Sequence, residues 1–263
     1  MSTLVCFHAH PDDEAIATGG TMALAAAMGH RVVLVLATRG EQGEPVEGVL
    51  ASGEALWERR VAETHRSAEI LGAARVEFLG YEDSGMMGEA TNDNPACFWM
   101  ADLDEASERL AAILADEKAD AITIYDPNGG YGHPDHIQVH RVGAAAAMAC
   151  GIDRVYWATM NRTRMLEHIV AQAEMGETEE SDDDGLDPDT FGLPEEDLTH
   201  AVDVSSVLDV KRAAMRAHAS QIAPDAFFLA MPDETFSAAF GTEWFRAPGT
   251  SRATGEPFAT WLL

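Results

Sequence analysis

Short runs of aliphatic and β-branched residues alternate with longer helix-favouring segments along the first 160 positions of the chain. The apolar runs fall at residues 3–9, 31–37, 75–79, 120–125 and 154–159, and stretches such as VVLVLA and AITIY are continuously hydrophobic. A strand that is apolar on both faces belongs in a parallel sheet covered on both sides. Between the runs the pattern predicts helices over residues 14–28, 54–71, 104–117 and 135–150, with Gly29 and Gly72 where helix C-termini favour glycine. This β-α-β-α-β order predicts an α/β fold, a Rossmann-like, open, mostly parallel sheet with helices on both faces. A strand over 199–204 and a helix over 205–221 follow, then a less regular tail with Trp244 and Trp261 that makes a small C-terminal extension. The expected organisation is one domain over residues 1–263, with a core at 1–160, an acidic loop at 174–197 and a C-terminal completion at 198–263.

Two long segments break the rhythm. Residues 39–53, RGEQGEPVEGVLASG, follow the second predicted strand, and residues 81–100 follow the third. Long loops at the carboxyl ends of strands shape binding sites in this architecture. The first strand-to-helix turn reads HAHPDDEAIATGG and lacks the G-x-G-x-x-G spacing that cradles a dinucleotide phosphate.

The chemistry concentrates in two clusters, each between a predicted strand and a predicted helix. One is His10-Pro11-Asp12-Asp13-Glu14; the other is Tyr131-Gly132-His133-Pro134-Asp135-His136. Both are expected at the carboxyl edge of the sheet. His10 and Asp13 are three residues apart and can turn to one side. With His136 they make two imidazoles and a carboxylate, a set that suits zinc and leaves a coordination position open for water; iron(II) accepts a similar set. Asp12 is placed to act as general base. His133 can polarise a substrate carbonyl or protonate a leaving amine, with Asp135 holding it in one tautomer. Tyr131 can donate to a developing oxyanion. His8 is expected in a supporting or core position, Glu14 as a helix N-terminal acid without a catalytic part, and His30 and His65 at the surface.

Charge narrows the partners. Seventeen basic against 45 acidic residues give a net charge of −28, which repels a phosphate backbone and argues against nucleic acid. No apolar run is long enough for a membrane span, and the first acids come too early for a secretory signal. Cys6, Cys97 and Cys150 are odd in number and form no C-x-x-C pair, which fits a reducing, cytoplasmic setting. Oligomeric state is not readable from the sequence.

AHPDDE near the N-terminus and YDPNGGYGHPDH further on resemble the LmbE/PIG-L deacetylase superfamily. The segments TRGEQGE, RVAETHRSAEILG, DSGM and KRAAMRAHASQ extend the resemblance over most of the chain. It implies a zinc-dependent hydrolase that removes the acetyl group from an N-acetylglucosamine conjugate, a small-molecule amino sugar. The group that looks most similar acts in mycothiol chemistry, as N-acetylglucosaminyl-inositol deacetylase or as mycothiol S-conjugate amidase. The resemblance implies the same roles for His10, Asp13, His136, Asp12, His133, Asp135 and Tyr131, and it adds Arg60 and Asp83 as residues that grip the sugar conjugate. One departure is Ala15-Ile16-Ala17-Thr18, apolar where both mycothiol enzymes are more polar. An amidase for a larger acyl group is the alternative, and a non-catalytic metal-binding protein a further one.

Overall fold

A computed structural model describes residues 1–175 and 190–263 of the chain. Five apolar runs form β1 (Thr3–His8), β2 (Arg31–Leu36), β3 (Arg75–Phe78), β4 (Ala121–Tyr125) and β5 (Arg154–Thr159). They lie parallel in the order β3-β2-β1-β4-β5, with Val5 of β1 beside Val33 and Ile122. Two antiparallel strands, β6 (His200–Asp203) and β7 (Thr242–Arg246), extend the sheet beyond β5. The helices are α1 (Gly19–Ala27), α2 (Leu56–Leu71), α3 (Leu103–Glu117), α4 (Pro134–Cys150), α5 (Arg162–Met175), α6 (Leu208–Ala217), α7 (Phe227–Ala230) and α8 (Asp233–Phe240). Successive side chains of a strand point to opposite faces. Leu4 and Cys6 accordingly enter the layer formed with α1, α2 and α6, while Val5 and Phe7 enter the layer formed with α3 and α4. The Rossmann-like expectation holds, including the C-terminal extension.

The differences are local. The helix expected at 14–28 opens as a π-helix, Glu14–Thr18, before α1. Helix α5 was not anticipated, and Trp244 lies in β7, not in an irregular tail. Of the expected acidic loop at 174–197, residues 176–189 lie outside the described residues. Among the described residues no helix is long and apolar enough to cross a membrane.

The parallel order makes β1 and β4 neighbours whose onward connections run to opposite sides of the sheet. That switch point opens a crevice at their carboxyl ends. The C-terminal third is fastened to the far side of the same region by a buried ion pair. Glu243 of β7 accepts the Gly20 and Thr21 N–H groups at the start of α1, at 2.7 and 2.8 Å, satisfying donors that a helix N-terminus leaves open. The Lys211 ammonium donates to Glu243 at 2.5 Å and to the Ile16 carbonyl at 2.8 Å. Both side chains are almost fully buried.

Removing one partner of such a pair strands the other charge. Glu243→Gln is expected to destabilise the fold by about 3–5 kcal/mol, whereas adding Lys211→Met to it recovers much of the loss because no uncompensated charge remains. Chemical denaturation of the single and double variants checks this; equal stabilities would show that the stranded charge is not the cause.

Candidate active site at the ends of β1 and β4

Beyond β1 the chain stays in register with β2 as far as Ala9, whose carbonyl accepts the Thr38 N–H at 3.0 Å. It then turns sharply. Asp12 adopts a φ of +92°, a left-handed backbone that costs a non-glycine residue about 1–3 kcal/mol. Several bonds hold it there. The Asp12 carbonyl accepts the Ala15 and Ile16 N–H groups, and its own N–H donates to Glu14 Oε2 at 3.1 Å. Arg60 of α2 donates to the Pro11 carbonyl at 2.7 Å, to Asp12 Oδ2 at 3.2 Å and to the Gly40 carbonyl at 2.7 Å. Asp13 closes the turn by accepting the His10 N–H at 2.8 Å.

Beyond β4, Asp126 organises the second cluster. Its carboxylate accepts the N–H groups of Asn128 and Gly130 and the Thr159 hydroxyl. Gly129, with φ +65°, passes so close that a Cβ there would lie 2.6 Å from the His136 Cβ. His133 caps α4, its Nδ1 accepting the Asp135 N–H at 3.1 Å, and Pro134 fits the first turn of that helix.

The two clusters meet. Asp13 Oδ2 lies 3.5 Å from His10 Nδ1 and 3.4 Å from His136 Nε2. The rings of His10 and His133 are 4.6 Å apart, and those of His133 and His136 are 5.1 Å apart. His10, His133 and His136 each offer a nitrogen within 4.8 Å of the others, as do His10, Asp83 and Asp135 with one ligand atom each. The Tyr125 ring stacks on His136 at 4.3 Å, and Tyr131, partly exposed, stands edge-on to it at 5.0 Å. His8 is buried beneath, bonded to Tyr125 Oη and Thr18 Oγ1 at 2.8 Å each.

One expected placement differs. The Asp135 carboxylate does not reach His133; it meets His10 Nε2 at 3.0 Å and accepts from the backbone N–H and the hydroxyl of Ser84. Its position at the start of α4 aims it back toward β1, and His133 takes only its backbone N–H. Asp83 lies 3.5 Å from His10 Nε2 and accepts the Gly85 and Gln42 N–H groups. Arg60 is directed at Asp12 and two carbonyls. In these positions Arg60 and Asp83 brace the two halves of the first cluster from within. The sequence reading also set Glu14 aside and did not single out His218, yet the two form a fully buried pair at 2.6 Å. Glu14 and Asp12 are only two residues apart, and only the unusual backbone of Asp12 shows what that spacing does.

Charge is balanced across the cluster. Burial works against the Asp13 carboxylate, but His136 and His10 hold it well below the usual carboxylate range. Burial likewise works against charged His10, yet Asp83, Asp13 and Asp135 raise it well above the usual imidazole value. Burial and the neighbouring His10 and His136 push His133 down to about 2. Burial raises Asp12 to about 6 against the opposing pull of Arg60.

The donor set fits a metal ion. His136 is buried, and neither ring nitrogen has a hydrogen-bond partner among the described residues; such an orphaned group costs about 1–3 kcal/mol, and a cation that accepts a nitrogen lone pair removes that cost. Zinc–ligand bonds of about 2.0–2.2 Å imply ligand–ligand separations of roughly 3.4 Å in a tetrahedral site. The two distances from Asp13 Oδ2 match that edge.

An imidazole–carboxylate cluster at the switch point of an open α/β sheet has the architecture of a metal-assisted hydrolase. The GlcNAc-PI de-N-acetylase family, PIG-L, matches residues 5–147. The chain belongs to this family, whose enzymes cleave a carbon–nitrogen amide bond. A relative from Acidothermus cellulolyticus, named 1D-myo-inositol 2-acetamido-2-deoxy-alpha-D-glucopyranoside deacetylase, is 43% identical over 257 residues, covering 93% of this chain and 88% of the relative. A relative of the same name from Geodermatophilus obscurus is 40% identical over 276 residues, covering 96% and 94%. Among solved structures, the N,N'-diacetylchitobiose deacetylase from Pyrococcus horikoshii superposes with a TM-score of 0.59 at 24% identity, over 93% of this chain and 83% of that one. At that identity the likeness concerns the fold.

Arg60 reaches Asp12 only because Gly40 leaves room for it. Gly40 has φ +70°, and a Cβ there would collide with the guanidinium; Gly48 has φ +76° and faces open space. Both Gly→Ala changes strain the backbone by about 1–3 kcal/mol, but Gly40→Ala is expected to lower Tm further than Gly48→Ala. Equal shifts in thermal unfolding would mean that Arg60 yields without cost.

Proposed function

We propose that the chain is a zinc-dependent hydrolase that removes the N-acetyl group of 1D-myo-inositol 2-acetamido-2-deoxy-α-D-glucopyranoside, the compound named in its relatives. The observation that carries this reading is the buried His136, without a hydrogen-bond partner among the described residues, facing Asp13 and His10, with Asp12 next to Asp13 on the strained turn. The near-complete coverage of both relatives supports the choice of substrate.

His10, Asp13 and His136 hold the cation in this proposal. A cation bound there supplies polarisation of the acetamide carbonyl and acidifies a water molecule. Asp12 takes the proton from the attacking water and returns it to the leaving nitrogen, so that acetate and a free amine result. Its link to Arg60 keeps the carboxylate aimed. His133 accepts at Nδ1, which assigns its proton to Nε2 and makes it a neutral donor toward the developing oxyanion. Tyr131, whose phenol burial and Asp13 raise above its usual value, stays protonated and donates from the open side. Asp135 and Asp83 accept from His10 Nε2, which leaves Nδ1 facing the ligand site, the carboxylate–histidine arrangement that orients a metal ligand. The three cysteines are free thiols, in support of a reducing, cytoplasmic setting. The sheet that runs from β3 to β6 supports a single domain over residues 1–263.

Acetate release from this compound, with metal content measured on the same sample, tests the proposal. About one zinc per chain and release of acetate are expected. Asp12→Asn is expected to keep the metal while losing roughly 10²–10⁴-fold in kcat, and His136→Ala to lose the metal itself. Bound zinc with cleavage confined to longer N-acyl groups would replace deacetylation with the amidase alternative. Bound zinc and no amide cleavage at all would sink both.

A further inference from the structure

Glu14 stands third in a row of acids, where it adds repulsion to Asp12 and Asp13, and it has no exposure to solvent that would screen it. A helix N-terminal acid that only favours the helix dipole sits in water. Glu14 instead collects three donors. Its Oε1 accepts the Ser67 hydroxyl of α2 at 2.5 Å and faces His218 Nε2 at 2.6 Å. Its Oε2 accepts the Asp12 backbone N–H. His218, at the C-terminus of α6, is also fully buried, and its segment is pinned from the other side. Ser220 donates its N–H and hydroxyl to Glu63 of α2, at 2.9 and 2.6 Å, and accepts the Val46 N–H at 2.8 Å. His218 is therefore fixed by α2 and the 39–53 loop, and it brings a donor to Glu14 across 204 residues of sequence.

The other end of this chain of bonds is the residue proposed above as the base. Asp12 is held from three directions: Arg60 takes the preceding carbonyl and the carboxylate, the helix start takes its own carbonyl, and Glu14 takes its N–H. Two of these contacts lie on the Pro11–Asp12 peptide that carries the φ rotation: Arg60 on its carbonyl and Glu14 on its N–H. Releasing the N–H leaves Arg60 alone to hold that peptide, which makes the turn freer to relax toward negative φ and shifts the Asp12 carboxylate.

Resting on the proposal that Asp12 is the base, we propose that Glu14 and His218 are positioning residues for Asp12. Their buried pair, steadied by Ser67, locks the left-handed Asp12 backbone and so aims its carboxylate at the water. Neither touches substrate or metal. Their effect passes through one backbone hydrogen bond, which connects the C-terminal third of the chain to the reaction.

The test uses the zinc-loaded full chain, with N-acetylglucosaminyl-inositol as substrate, and the variants Glu14→Ala, Glu14→Gln, His218→Gln, Ser67→Ala, Asp12→Ala and Asp12→Ala/Glu14→Ala. Glu14→Ala is expected to lower kcat by about 10- to 100-fold, the scale set by an ångström of misplacement. KM should stay within about twofold and zinc content equal to wild type. Glu14→Gln, which keeps an acceptor, should recover part of the loss, and His218→Gln should fall between them. The double variant should be no slower than Asp12→Ala, because the effect runs through Asp12. A readout free of activity is amide hydrogen exchange at Asp12, expected to quicken by at least about tenfold in Glu14→Ala, less in Glu14→Gln and measurably in Ser67→Ala. Multiplicative losses in the double variant, a kcat that falls only in step with zinc content, or unchanged exchange at Asp12 would each overturn the proposal. If Asp12→Ala itself turned over at the wild-type rate, the assignment of the base would fail first, and faster Asp12 exchange in Glu14→Gln would still show that the lock exists.

Discussion

Three carboxylates, Asp13, Asp83 and Asp135, converge on His10 and His136 where β1 and β4 end, and Asp12 and Glu14 crowd the same turn, all largely out of reach of water. Like charges this close repel strongly in a desolvated space, and the surrounding structure is arranged to answer that repulsion. Arg60 faces Asp12, and His218 faces Glu14. His10 lies between Asp13 on one side and Asp83 and Asp135 on the other. What is left over is concentrated at Asp13 and His136, where an anionic oxygen and an unpartnered nitrogen face each other. A divalent cation held there would complete that balance, and a metal centre and a charge-neutral core would then be two descriptions of one arrangement.

The fold supplies this convergence with little freedom to fail. Parallel strands deliver both clusters to one edge, and the switch between β1 and β4 opens the crevice there. The loops after β2 and β3 close it from the side, bringing Gly40 to Arg60 and Ser84 to Asp135. The C-terminal elements then reach under α1 and the π-helix through two buried ion pairs, Lys211 with Glu243 and His218 with Glu14.

Much of this was legible in the chain. Continuous apolar runs announced a parallel sheet, and two histidine–aspartate clusters after strands announced a site at its edge. Spacing could not say which carboxylate serves which imidazole. Asp135 follows His133 by two residues, yet the start of α4 turns its side chain across the crevice to His10. Nothing in the sequence marks Asp12 as left-handed, since the usual sign of that backbone is glycine, and so the backward reach of Glu14 was hidden. Strand β7 was missed because Glu243 interrupts its apolar pattern at an inward position, where its task is to cap α1. His218 was hidden by distance, because its partner lies near the other end of the chain.

The long reach of those C-terminal contacts bears on how the molecule comes into being. Gly20 waits 223 residues for the carboxylate that caps it, and Ile16 waits 195 for the ammonium that holds its carbonyl. A chain growing from its N-terminus carries HPDDE and its Arg60 brace early, but Glu14 and the start of α1 lack their partners until α6 and β7 have emerged and docked. Contacts this distant in sequence form late and slow the folding of the whole. A chain that lacks those elements leaves Glu14 without His218 and α1 without its cap, so the order of the centre registers whether the remainder of the protein has been made and packed.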